Sequence, residues 1–114
     1  MIVVLNLFDI IPGREKMYAE YLRRVQPVLD RHRARVLVYG RTRMIFKGKT
    51  PQEYCGIIEY PSLRNLRKFS CDPEFEAIRS LRDDATENYV LTAVEEFPTM
   101  DDAAEFLENG GDGE

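Results

Sequence analysis

The feature that most constrains this chain is a passage met twice in its first 97 residues: an apolar strand, a helix start, an amphipathic stripe and a further strand. In the second passage Tyr54-Cys55-Gly56-Ile57-Ile58-Glu59-Tyr60 reads as a strand, and Pro61-Ser62 stops it and opens a helix. Proline cannot extend the strand ladder, and serine accepts from the first free amides of a helix. That helix carries Leu63, Leu66 and Phe69. Asp72-Pro73 has the form of a cap and first position for another, with Phe75, Ile78 and Leu81, and Asn88 to Phe97 closes as a strand.

The first passage has the same order. Ile2 to Phe8 is apolar except for Asn6 and rich in β-branched residues, and Pro12-Gly13 ends it. From Arg14 to about His32, Met17, Tyr18, Tyr21, Leu22, Val25, Val28 and Leu29 recur at intervals of three and four, the spacing of an amphipathic helix. Pro27 lies inside it and is expected to bend its last turns. Arg35 to Tyr39 is a strand, Gly40 permits a bulge, Met44-Ile45-Phe46 is expected to continue the strand, and Lys47 to Pro51 supplies a turn. The order βαββαβ predicts an α+β, ferredoxin-like sandwich: a four-stranded antiparallel sheet with its helices on one face.

The other face predicts the assembly. If Val3, Leu5, Leu7, Val36, Val38, Ile58 and Tyr60 point to the helices, alternation sends Val4, Asn6, Phe8, Leu37, Tyr39, Cys55, Ile57 and Glu59 the other way. That second set is mostly apolar, whereas a one-sided antiparallel sheet carries polar residues there. The simplest cover is an identical sheet across a two-fold axis, giving a homodimer that joins through its sheet faces.

Composition fits one domain, residues 1–97, followed by an acidic tail, 98–114. The six acids after Pro98 leave 14 in the body against all 16 bases. Within the tail, Thr99-Met100-Asp101-Asp102 matches a capping box for a short helix, and Asn109 to Glu114 is Gly-rich, acidic and expected to be disordered. No apolar run approaches the ~20 residues that span a bilayer, and the first residues lack the basic flank of a signal peptide. The expected location is cytoplasmic, with no membrane partner. Two cysteines, Cys55 and Cys71, are too few for a disulfide framework or a zinc site, so no metal is expected. Arg31 to Lys49 is basic and free of acids, as in a charge-protected strand edge or an anion-attracting surface.

Several segments carry a resemblance: Ala19-Glu20-Tyr21 with Pro27, Arg35-Val36-Leu37-Val38-Tyr39-Gly40, Ile57 to Leu63 with its Glu-aromatic-Pro-Ser-Leu element, and Asp72-Pro73-Glu74-Phe75 with Leu81-Arg82. Together they resemble the domain-of-unknown-function 1330 family of the dimeric α/β-barrel superfamily, from about Ile2 to Phe97. The resemblance implies a ferredoxin-like fold, a dimer with facing sheets forming the α/β barrel, and a cavity between them; it brings no established reaction. Where members carry Arg-Gly-Gly this chain has Tyr39-Gly40-Arg41, so an anion site on that arginine is not carried over. Related families include cofactor-independent monooxygenases, haem-degrading enzymes and small lactone isomerases. The haem-degrading type asks for a first-strand Asn with a Trp and a His, and this chain has no Trp.

The residues offer these roles. Asn6, Phe8, Tyr39 and Glu59 are the expected ligand-binding set on the inter-sheet face: Asn6 to orient a carbonyl or enolate, Tyr39 to donate its hydroxyl, Glu59 as a general base. Glu59 is otherwise an ion-pair partner of Arg35 or Arg43, and Asn6 and Tyr39 otherwise satisfy neighbours or line an interface. His32, the only imidazole, is a second catalytic candidate or a cap at a helix C-terminus. Cys71 precedes a helix start that lowers a thiol pKa, without a His or second Cys nearby in sequence. The reading is a homodimer that binds a small, partly apolar organic molecule between its sheets, without a cofactor, with acid/base or oxygenase-type chemistry open. The alternative is a dimer with an interaction or structural role. An RNA-recognition module has the same element order, but Cys55, Ile57 and Glu53 stand where its stacking aromatics and base belong.

Overall fold

The computed structural model describes residues 1–111. In chain order it has β1 (Ile2–Ile10), α1 (Glu15–Arg31), β2 (Arg35–Arg41), β3 (Tyr54–Tyr60), α2 (Leu63–Ser70), α3 (Pro73–Ala85), β4 (Thr86–Val94) and α4 (Met100–Glu108). The four strands form one sheet in the order β2-β3-β1-β4, antiparallel throughout, which is the ferredoxin-like α+β arrangement. The capping residues act as their chemistry predicts. Ser62 Oγ accepts from the Asn65 amide, Asp72 from the Glu74 amide ahead of Pro73, and Thr99 from the Asp102 amide. Pro27 lies inside α1 without interrupting it. Of the expected Gly-rich end, Asn109 to Gly111 forms a turn, and residues 112–114 lie outside the described residues.

Two expectations fail at β2. The strand ends at Arg41, and residues 42–53 form a loop on which Phe46 is 91% exposed, so Met44-Ile45-Phe46 does not continue it. The bulge falls at Leu37 rather than Gly40, between the pairs Val36–Ile58 and Val38–Ile57. One extra residue reverses the alternation. Val36 and Tyr39 therefore share the helix-covered face, and Val38, opposite Ile57, turns to the other.

β1 also turns over. Val4 and Phe8 lie in the core with Tyr18, Val25 and Leu29 of α1 and Ile78 of α3, and Phe8 is 0% exposed. The even-numbered residues of β1 thus face the helices. Val3, Leu5 and Leu7, opposite Glu59, Ile57 and Cys55, face away. Both alternating sets of Ile2–Phe8 are largely apolar, with Asn6 the one polar residue, so alternation alone does not choose between them. The choice comes from packing: Phe8 stacks on Tyr54 and Tyr89 with centroids 5.7 and 5.1 Å away, and meets Tyr18 of α1 at 5.2 Å. Seating that ring under the helices buries far more apolar area than a valine would.

β4 begins at Thr86, two residues earlier than expected, and carries its own irregularity between its pairings with Leu7 and Asp9. Asn88 takes a left-handed conformation there, with φ of 55°, which asparagine tolerates better than most residues. The extra residue brings Tyr89 over Phe8 and leaves Leu91 opposite Asn6.

Candidate functional site

Between the sheet and the helices lies a cavity of about 570 Å³, well within the range of small-molecule sites. Its walls are largely apolar, from Val4, Val25, Leu29, Ile58, Phe69 and Leu91. Five tyrosines enter it: Tyr18 and Tyr21 from α1, Tyr39 from β2, Tyr60 from β3 and Tyr89 from β4. Asn6 of β1, Gln26 of α1, Ser70 of α2, Thr92 of β4 and Arg79 and Arg82 of α3 complete the polar lining, and neither a carboxylate nor a histidine is among the lining residues.

Asn6 is held by two bonds that fix its amide. Its Nδ2 donates to the Gly56 carbonyl at 3.2 Å, and its Oδ1 accepts from the Tyr89 hydroxyl at 2.7 Å. A carbonyl oxygen only accepts, so the nitrogen must be the atom facing Gly56. One amide hydrogen and one lone pair remain for a molecule in the cavity. Gly56 has a second part to play. A Cβ there would stand 2.9 Å from two ring carbons of Tyr39, so only glycine lets that ring lie across β3 and reach Tyr18. The Tyr18 and Tyr39 hydroxyls are hydrogen-bonded to each other. In such a pair one O–H is spent on the neighbour and the other is free to donate.

Burial pushes the Tyr18 hydroxyl far above the ordinary phenol value, and neighbouring Tyr39 adds to the rise. Burial likewise raises Tyr39, Tyr60 and Tyr89 well above it, and raises Tyr21 against the opposing influence of Arg82. All five are therefore neutral donors at physiological pH. Arg82 is the charged group inside. Its side chain is 16% exposed, its guanidinium carbon stands 5.6 Å from the Phe75 ring centroid and 5.4 Å from that of Tyr89, and its Nε donates to Asp83 at 3.0 Å. Arg79, one turn earlier on the same face, is exposed at the cavity's edge.

The expected set Asn6, Phe8, Tyr39 and Glu59 does not share one face, and the first three do not look into a space between two sheets. Asn6 and Tyr39 line the cavity beneath the helices, and Phe8 packs under its floor. Glu59 is on the opposite face, 8% exposed beside Val3, where its Oε1 accepts from Arg35 Nη2 at 3.1 Å. The cause is again parity: β1 and the end of β2 turned over while β3 kept the expected orientation. His32 is also outside the cavity lining. It is the C-cap of α1, with its Nε2 2.6 Å from Asp72 Oδ2 and its carbonyl accepting from Asn65 Nδ2. Arg31 donates to the same Asp72 oxygen at 2.8 Å, and this bond, with His32 and the Glu74 amide, holds the Asp72 carboxyl far below its usual range. The cluster ties α1 to the start of α3. Cys55 and Cys71 are free thiols, half-buried and exposed. Among the described residues no three His, Cys, Asp or Glu side chains form a metal-binding group.

Sequence reading missed Tyr18, Tyr21, Tyr60, Tyr89 and Arg82 as site residues. A signal was present. Phe75, Ile78, Arg82 and Ala85 fall at spacings of three and four, which places a cation on the inward stripe of α3. The tyrosines gave less, because a phenol on an apolar stripe reads as core.

Comparison with known proteins gives fold and family. The chain superposes on a protein of unknown function from Rhodopseudomonas palustris with a TM-score of 0.76 at 24% identity, covering 86% of this chain and 83% of that one. A dimeric ferredoxin-like protein of unknown function from Jannaschia sp. matches with a TM-score of 0.69 at 10% identity, over 83% and 98% of the two chains. SnoaB, a cofactor-independent oxygenase from Streptomyces nogalater, matches with a TM-score of 0.63 at 12% identity, over 86% and 94%. No curated protein matches the chain. No helix among the described residues is long and apolar enough to cross a membrane. The family described as a domain of unknown function (DUF1330) matches residues 8–97, and with the ferredoxin-like sheet, its helices and the element order in place, the chain belongs to that family.

Proposed function

We propose that this protein binds a small, partly apolar organic molecule in the cavity between its sheet and its helices. The observation that carries this reading is the lining itself: apolar walls, a fixed amide at Asn6 and five neutral phenols around a space of about 570 Å³. Pockets of that size and make-up take small molecules, with the few polar groups setting orientation. The lining offers hydrogen-bond donors and no carboxylate base, so proton abstraction by Glu59 has no place in this reading. Any reaction would draw on the substrate's own reactivity, as in the oxygenase-type chemistry considered for the fold.

The protein works as a homodimer in this proposal, joined by the sheet face that carries Leu5, Leu7, Ile57, Val38 and Val90. Val38 is 48% exposed in the single chain, and apolar faces of this kind are usually covered. The dimeric description of the Jannaschia neighbour is in keeping with this.

The test is mass spectrometry of small molecules extracted from the purified protein, beside a Val25→Trp variant that fills the cavity. A molecule retained by the wild type and lost from a folded Val25→Trp variant supports the reading. Equal retention by both would place the ligand elsewhere.

A further inference from the structure

We propose that the ligand is an organic anion, a planar carboxylate on an apolar body, and that Arg82 is the residue that recognises its charge. This rests on the cavity reading above and names the class of molecule it takes. Arg82 is largely buried and sits near the faces of two rings, Phe75 and Tyr89. A cation is costly to hold there unless it is paired. Its one carboxylate partner among the described residues, Asp83, is more than half exposed and reaches it through Nε, so neither terminal nitrogen is held by an acid. Those nitrogens belong to a residue that lines the cavity, and no side chain lining that cavity carries a negative charge.

The remaining polar groups agree in sign. Tyr89 and one member of the Tyr18–Tyr39 pair spend their O–H on neighbours, which leaves Tyr21, Tyr60, the other member of that pair and the spare Asn6 hydrogen to donate, and neutral phenols at this depth do not repel an anion. Among the described residues the Tyr60 hydroxyl bonds to no other side chain, yet no buried polar side-chain atom is left unpartnered, so that hydroxyl opens onto space. Tyr21 stands close enough to Arg82 to feel its charge. A carboxylate seated against the two terminal nitrogens would accept two parallel hydrogen bonds from the guanidinium, a match that lysine does not offer. Arg79 at the edge, with no acidic partner among the described residues, adds positive potential where such a molecule would enter.

The experiment measures binding of three probes with one ring system: a naphthoate, the neutral naphthamide and the cationic naphthylmethylamine. Wild type is compared with Arg82→Met, which keeps the length of the side chain against Phe75, and with Arg82→Lys. A charge-assisted pair is worth roughly 1.5–3 kcal/mol, so naphthoate should bind about tenfold or more tighter than naphthamide. Arg82→Met should remove that preference by weakening naphthoate far more than naphthamide, and Arg82→Lys should restore only part of it. Equal binding of naphthoate and naphthamide by wild type would overturn the anion assignment while leaving the cavity reading in place. Tighter binding of the amine would do the same. Binding of none of the three would overturn both. If Arg82→Met fails to fold, the wild-type order of the probes still decides the class.

Discussion

The two faces of the sheet are built from the same strands and nearly the same apolar content, yet they do different work. Beneath the helices, Phe8 is fully buried, Tyr39 crosses Gly56 to meet Tyr18, and the space left over is ringed with phenols. On the opposite face, Leu37, Val38 and Val90 remain exposed, and the polar feature is the Glu59–Arg35 pair with its arginine mostly in water. The difference teaches that apolar alternation finds surfaces to be covered and says nothing about what covers them. Helices of the same chain cover one face, with room for a ligand. The other stays open in the single chain and is the face assigned to the proposed dimer.

The widest separation between the faces is expected at alkaline pH. The cavity tyrosines carry raised pKa values in the folded chain and revert to about 10.0 when it unfolds. Their neutral forms therefore contribute stability that is fully present below about pH 10 and is lost as pH rises toward the folded values. Tyrosinate absorbance for these residues should appear together with loss of the helical circular dichroism signal. Gradual ionisation of all six tyrosines near pH 10 in a chain that stays folded would contradict the burial that defines the covered face.

Phe8→Ala comes next. Removing a fully buried ring from the centre of the aromatic cluster should cost about 3–5 kcal/mol in denaturant unfolding. A loss below about 1 kcal/mol would return Phe8 to the open face, where the sequence alone had put it.

Ile57→Lys tests the other side. Ile57 lies on the open face opposite Leu5 and Val38. A lysine there should weaken the proposed dimer by about tenfold or more, roughly 1.4 kcal/mol, because a charge would enter an apolar contact. The subunit should remain folded and keep its cavity. Analytical ultracentrifugation with circular dichroism separates the two effects, and an undiminished dimer would mean that this face is not the contact.

Glu59→Gln should be the mildest change. An ion pair with one partner exposed is worth about 0–1 kcal/mol, and glutamine keeps the shape and an acceptor for Arg35. Retention of a cavity ligand should be unchanged, since the residue lies on the opposite side of the sheet. Loss of the ligand with stability intact would bring Glu59 back into the site.

Much of the fold was legible because its signals are local. Ser62, Asp72-Pro73 and Thr99 announce helix starts through a side-chain oxygen near free amides, and the stripe from Met17 to Leu29 gives α1 its inward face. The candidate site was only half legible. Asn6 and Tyr39 belong to it, but their direction was misjudged, and Arg82 was passed over although its spacing put it on the stripe of α3.

By itself, the sequence determined the βαββαβ order, the capping chemistry, the amphipathic helix stripes and the presence of two apolar sheet faces. Each of these depends on residues within a turn or a strand of one another. Tertiary structure decided which face meets the helices, because a strand apolar on both sides has no preference until Phe8 finds Tyr18, Tyr54 and Tyr89. It also decided, through one extra residue at Leu37, that Tyr39 turns inward and Val38 outward. A bulge is fixed by the pairing of two strands, and neither strand carries that register alone.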